Sequence, residues 1–145
     1  MSERRLKILF VCLGNACRSP MAEALANHLG KDRVQAWSAG SHPLGEITEE
    51  TRTVLEEIDI SIDSQCSKGL GDVSLQQMDV VVTMGEEVEC PLPADFKGKL
   101  IEWKIPDPFR MDLEFFRSVR DLIEARVKLL LDQLELESRP SDSKV

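Results

Sequence analysis

Apolar and polar positions alternate along the chain in blocks with two different periods. Residues 6–11, Leu6-Lys7-Ile8-Leu9-Phe10-Val11, are rich in branched and aromatic side chains and read as a strand. From about 20 to 29, Ala22, Leu25, Ala26 and Leu29 recur at helical spacing. Ser19 suits the N-cap of that helix, Pro20 its first turn and Glu23 its positive end, and Gly30 stops it. Residues 34–38 form a second strand pattern, followed by the turn-rich run Ala39-Gly40-Ser41-His42-Pro43-Leu44-Gly45. Thr48 caps a second predicted helix, about 49–58, with Val54, Leu55 and Ile58 facing inward. A linking stretch through Asp63, Ser64 and Cys66 leads to Ser67-Lys68-Gly69-Leu70, which opens a short third helix. Residues 80–84 are continuously apolar, the pattern of a strand buried on both faces of a parallel sheet. An acidic, proline-containing loop over 85–95 and a fourth strand over 100–105 follow, broken by Pro106-Asp107-Pro108-Phe109. Phe116, Val119, Ile123, Val127, Leu130 and Leu134 then mark one broad apolar stripe on a long helix, about 113–136. Residues 138–145 hold no apolar residue until the last and read as a disordered tail.

Strands that alternate with helices predict an α/β fold: one domain over 1–137, with a doubly wound, four-stranded parallel sheet and helices on both faces. Ligands of such sheets bind beyond the carboxyl ends of the strands. Cys12 follows the first strand and Asp107 the fourth, so the topology alone sends both to one edge.

Composition narrows the classes. At 145 residues and 42% apolar content the chain suits a single core. Its net charge of −8 excludes a basic nucleic-acid surface, and no apolar stretch reaches membrane-spanning length. Four cysteines, at 12, 17, 66 and 90, form no dense framework and fit a reducing cytoplasm. With His28 and His42 isolated, no set of residues has zinc-ligand spacing, and no metal is expected. A cytoplasmic monomer is the reading.

The chemistry concentrates in Val11-Cys12-Leu13-Gly14-Asn15-Ala16-Cys17-Arg18-Ser19-Pro20, between the first strand and the first helix. The first amides of a helix have no intrahelical partner and face whatever precedes it. Gly14 and Asn15 tolerate left-handed turns that aim further amides inward. Arg18 adds a planar fork matched to two oxygens of a tetrahedral anion. Leu13, Gly14, Asn15, Ala16, Cys17, Arg18 and Ser19 thus form a phosphate cup with Cys12 at its base as the nucleophile, its sulfur within reach of the Ser19 hydroxyl.

This loop resembles that of the low-molecular-weight protein tyrosine phosphatases, whose fold the thioredoxin-coupled arsenate reductases share, and the resemblance covers about 7–134. It implies that Asp107, in Asp107-Pro108, is the general acid. The expected reaction is hydrolysis of phosphotyrosine, on a phosphorylated protein, or of a small aryl phosphate, through a phosphocysteine and without a cofactor. The alternative it implies is arsenate reduction by Cys12, a resolving cysteine and thioredoxin or another thiol. Two departures bear on that choice. The loop after Gly40 lacks the aromatic clamp usual in the phosphatases, and Phe109 and Arg110 stand where paired tyrosines are common. On the reductase side only Cys90 lies in the segment after the third strand, with Glu86 near the position of the other resolving cysteine. Cys17 and Cys90 are the redox candidates, and a Cys12–Cys17 bridge is sterically plausible. Cys66 reads as a buried small hydrophobe, and Glu86, Glu87 and Glu89 as a solvated loop face. Some relatives hold a cation beneath the loop at the positions of Asn15, Glu23 and Ser38, a place the Lys68 ammonium is positioned to take.

Overall fold

The computed structural model describes residues 5–138. Four strands, β1 (Leu6–Cys12), β2 (Val34–Gly40), β3 (Val80–Thr83) and β4 (Lys99–Glu102), form one sheet in the order β2-β1-β3-β4. All three pairings are parallel. The α-helices are α1 (Arg18–Leu29), α2 (Glu49–Glu56) and α3 (Leu113–Ser138). The α/β class and the four-stranded parallel sheet are as the hydrophobic pattern predicts. Of the predicted tail, 138–145, Ser138 is the last residue of α3 and the rest lies outside the described residues.

Because β1 is central, its alternating side chains serve two cores. Ile8, Phe10 and Cys12 pack with α1, α2 and α3 in the larger one. Leu9 and Val11 join Ala39, Met78 and Val81 in the smaller one, under Leu70, Leu75, Val88, Cys90, Leu92 and Phe96. The three α-helices therefore share one face of the sheet. Two 3₁₀ turns, Leu70–Asp72 and Leu75–Gln77, and the loop before β4 cover the other. These turns replace the short helix expected to open at Ser67.

Helix α1 departs from its predicted form in two ways. It begins at Arg18, with Cys17 at the N-cap and no side-chain cap. Ser19 is not the cap because its hydroxyl is committed to Cys12 and Asn15. Its buried surface is also no stripe: every residue from Arg18 to Ala26 is buried, because the helix is wedged among β1, β2, α2 and α3. Helix α2 is capped as expected, Thr48 Oγ1 accepting from the Thr51 amide. It ends at Glu56, and Ile58 lies beyond it in the turn that Asp59 makes at φ 64°. The predicted stripe of α3 is buried throughout. Strand β4 stops at Glu102 because β3 ends at Thr83. The Trp103 amide bonds the Thr83 carbonyl at 2.8 Å, and among the described residues no further backbone bond to β3 follows at Lys104 or Ile105. No helix among the described residues is long and apolar enough to cross a membrane.

Candidate active site

Cys12 is the last residue of β1, in register with Gly40 of β2. A Cβ on Gly40 would lie 2.8 Å from the Leu13 carbonyl oxygen and 2.9 Å from the Asn15 nitrogen, so the loop after Cys12 folds directly onto a bare backbone. The carbonyls of that loop turn outward. Those of Cys12, Leu13, Gly14 and Ala16 accept from the amides of Ser41, His42, Leu44 and Thr48 at 2.8–3.0 Å. Among the described residues no amide from Leu13 to Cys17 donates to a backbone carbonyl. The loop amides are thus left free to bind an anion at the N-terminus of α1.

Asn15 takes the single left-handed turn of the loop, at φ 49°, and its side chain fixes the hydrogen-bond directions beneath it. Its Oδ1 accepts from the Lys68 amide at 2.8 Å, so its Nδ2 must donate, to Ser19 Oγ at 2.8 Å and Ser38 Oγ at 2.9 Å. The Ser38 hydroxyl donates to Glu23 Oε1 at 2.5 Å. The Ser19 hydroxyl, already an acceptor, keeps its proton for Cys12 Sγ at 2.9 Å. The Ser19 amide also points at this sulfur, at 3.4 Å. Two donors thus converge on the one sulfur at the base of the cup.

Burial pushes the Glu23 carboxyl above its usual range, against the Ser38 bond and the charge of Lys68. The Lys68 ammonium itself bonds the Cys66 carbonyl at 3.0 Å and reaches Glu23 only through its charge. No buried side-chain nitrogen or oxygen among the described residues lacks a partner, and Asn15, Ser38 and Glu23 are bonded to one another.

Arg18 is buried, its side chain 3% exposed. Nη1 donates to the carbonyls of Met84, at 2.6 Å, and Ile105, at 3.1 Å. Nη2 donates to Glu87 Oε2 at 2.6 Å, and Asp107 Oδ2 stands 3.7 Å from the same nitrogen. A pocket of about 230 Å³ opens over Cys12, lined by Leu13, Gly14, Ala16, Cys17, Arg18, His42, Leu44, Asp107 and Phe109. The sheet topology thus brings Cys12, Arg18 and Asp107 together as expected. Asn15 and Ser19 lie beneath the cup instead of lining it.

Of the other cysteines, Cys17 shares the pocket over Cys12, and Cys66 and Cys90 lie outside it. Cys17 is buried, and desolvation, opposed by hydrogen bonds from Thr48 and Thr51, pushes its thiol up to about 11. Cys90 is half-buried, its thiol also pushed up by burial, and it lines a neighbouring pocket with Thr83, Gly85 and Trp103. Cys66 is exposed, because the segment expected to bury it runs along the surface. The sequence reading missed Glu87, taken as a solvated loop residue. Its one available signal was its place at the carboxyl edge, four residues after β3.

The sequence matches the family model described as low molecular weight phosphotyrosine protein phosphatase over residues 7–139. The chain belongs to that family. Within the low-molecular-weight phosphatase family, the glutaredoxin arsenate reductase of Synechocystis sp. is 31% identical over 129 residues, covering 88% of this chain and 98% of the relative. Among solved structures, an arsenate reductase in the phosphate binding state superposes with a TM-score of 0.79 at 31% identity, over 88% of this chain and 98% of its own. The tyrosine phosphatase Wzb from Escherichia coli K30, in complex with sulphate, superposes with a TM-score of 0.76 at 25% identity, over 90% and 99%. Family membership and these likenesses make the chain an enzyme of this family, with two activities represented among its relatives.

Proposed function

We propose that the protein hydrolyses aryl phosphate monoesters, small or on phosphotyrosine, through a phosphocysteine on Cys12. The observation that carries this reading is the pocket over Cys12, where Leu13, Leu44 and Phe109 make an apolar wall and Asp107 stands at the rim. A bare tetraoxyanion has no use for such a wall; an aromatic leaving group does. Phe109 takes the place of the absent clamp in the loop after Gly40. In the first step Cys12 forms the S–P bond as the P–O bond breaks, and Asp107 gives its proton to the leaving oxygen. The loop amides and Arg18 hold the equatorial oxygens. In the second step Asp107 takes a proton from water, which attacks phosphorus and releases phosphate and the Cys12 thiolate. The cycle draws on no metal or cofactor.

The relatives that are arsenate reductases support arsenate reduction as the second reading. There Cys12 would attack arsenate, expelling water. A second thiol would then attack the Cys12 sulfur, leaving a disulfide and two-electron-reduced arsenite. That thiol would be Cys90 or one from a thioredoxin-like donor. The pocket over Cys12 holds no thiol besides the buried Cys17, and Cys90 would have to leave its own pocket.

Assays of aryl phosphate hydrolysis and thioredoxin-coupled arsenate reduction on wild-type protein and Cys90→Ser decide between the two. We expect hydrolysis within about 2-fold of wild type in Cys90→Ser, since water is the second nucleophile, and competitive inhibition by arsenate. Arsenate reduction that disappears in Cys90→Ser would replace the hydrolase reading.

A further inference from the structure

Arg18 makes more contacts than an oxyanion holder requires. Both protons of Nη1 go to backbone carbonyls, of Met84 after β3 and Ile105 after β4. These two bonds already fix the guanidinium plane. Glu87 at Nη2 therefore adds little to its position and a full negative charge to its surroundings. The pair spans a steep gradient of exposure, 3% for the Arg18 side chain and 43% for Glu87. It also depends on Gly85, where a Cβ would lie 2.5 Å from Glu87 Oε1 and 2.6 Å from Arg18 Nη1. Burial pushes the Glu87 carboxyl up, but the Arg18 hydrogen bond, a backbone amide and the Arg18 charge outweigh it and hold the group below its usual range. Glu87 is thus ionised at neutral pH. The other charges near Arg18 are Asp107 and, farther out, the exposed Glu86–Lys104 pair.

We propose that Glu87 tunes the phosphate cup, its carboxylate on Arg18 weakening the capture of tetraoxyanions. An oxyanion over the cup must share one guanidinium with Glu87, and like charges at such distances oppose each other. Bare phosphate and arsenate have only the cup to hold them. An ester keeps a second anchor in the wall of Leu13, Leu44 and Phe109. Glu87 therefore loosens the hold of the cup on both, and speeds the departure of product phosphate, which has no second anchor. The inference rests on Arg18 as the partner of the oxyanion and is independent of whether hydrolysis or reduction follows.

The test is Glu87→Gln in the full chain, with inorganic phosphate as the probe in isothermal titration calorimetry. Glutamine keeps an oxygen for the Nη2 hydrogen bond and loses only the charge, so a purely structural role predicts no change. We expect phosphate to bind about 5- to 10-fold more tightly, the size of effect one charge has at a partly buried site. Arsenate inhibition should strengthen in parallel, and Cys12 should be alkylated faster by iodoacetamide at neutral pH. Unchanged or weaker phosphate binding in Glu87→Gln would overturn the proposal. A thermal melt of each variant guards against misfolding, and Glu87→Ala, which also lacks the charge, must tighten binding in the same direction. Arg18→Lys separates the two levels of the argument. If it lowers phosphate affinity while Glu87→Gln leaves it unchanged, only the role of Glu87 fails. If Arg18→Lys leaves it unchanged, the reading of the cup fails as well.

Discussion

Asn15 shows how far a single residue carries the site. Its left-handed turn bends the loop, its amide oxygen anchors the loop to Lys68, and its amide nitrogen orders the hydroxyls of Ser19 and Ser38. The tolerance of asparagine for that turn was legible in the sequence, and the family resemblance implied that Glu23, Ser38 and Lys68 gather beneath the loop; the order of donors among them was not legible, because they arrive from three separate segments. Ser19 was read both as a cap and as a donor to Cys12, and one hydroxyl serves only the second. Glu87 was opaque for a similar reason: nothing local distinguishes it from Glu86 and Glu89, and only the fold brings it to Arg18. Asp107 was legible from its place after the fourth strand. Its Oδ1 accepts from the Phe109 amide at 3.1 Å, which holds the carboxyl at the rim while its side chain stays 44% exposed to water. Asp107→Asn should therefore fold normally and lose about 10²- to 10⁴-fold in kcat for poor leaving groups, with a smaller loss for nitrophenyl phosphate. A loss equal across a leaving-group series would show that Asp107 acts only on structure.

At the scale of elements, legibility followed the number of faces each one buries. Strands β1 and β3 lie between two cores and read as unbroken apolar runs. Helix α3 buries one face and shows one stripe. Helix α1 is enclosed on all sides, so its small residues, Ala22, Ala24 and Ala26, report close packing and not a facing direction. Strand β4 was overextended because strand propensity continues through Ile105 while its partner stops at Thr83. The contact of α2 with α3 depends on a residue the apolar pattern ignores. Arg120, on α3, donates to the Val54 carbonyl at 2.9 Å and to Glu57 Oε1 at 2.8 Å, satisfying the open end of α2. Arg120→Ala should cost about 1–3 kcal/mol in denaturant unfolding, the range for hydrogen bonds to a charged group, with kcat unchanged. Wild-type stability in that variant would mean that apolar packing alone holds the two helices.

For the whole molecule, a net charge of −8 and an anion site coexist because the site makes its own field. Outward carbonyls, the start of α1 and one buried guanidinium act within a few ångströms, and the Glu87 carboxylate offsets part of that guanidinium's charge. The parallel topology gathers Cys12 from the end of β1, Gly85 and Glu87 from beyond β3, and Asp107 from beyond β4. The meeting of Cys12 and Asp107 at one edge was predictable from the parallel topology alone. The pocket wall was not, since Leu44 and Phe109 belong to loops whose course no periodicity records. The central claim, that Cys12 carries the oxyanion covalently, is tested most directly by acid-quenching the enzyme in its first turnover of an aryl phosphate and mapping the adduct by mass spectrometry. A phosphoryl group on the Cys12 peptide, formed as fast as phenolate is released and absent in Cys12→Ser, is the predicted result. Hydrolysis at the wild-type rate with no such adduct, or with the phosphoryl group on another residue, would contradict the account.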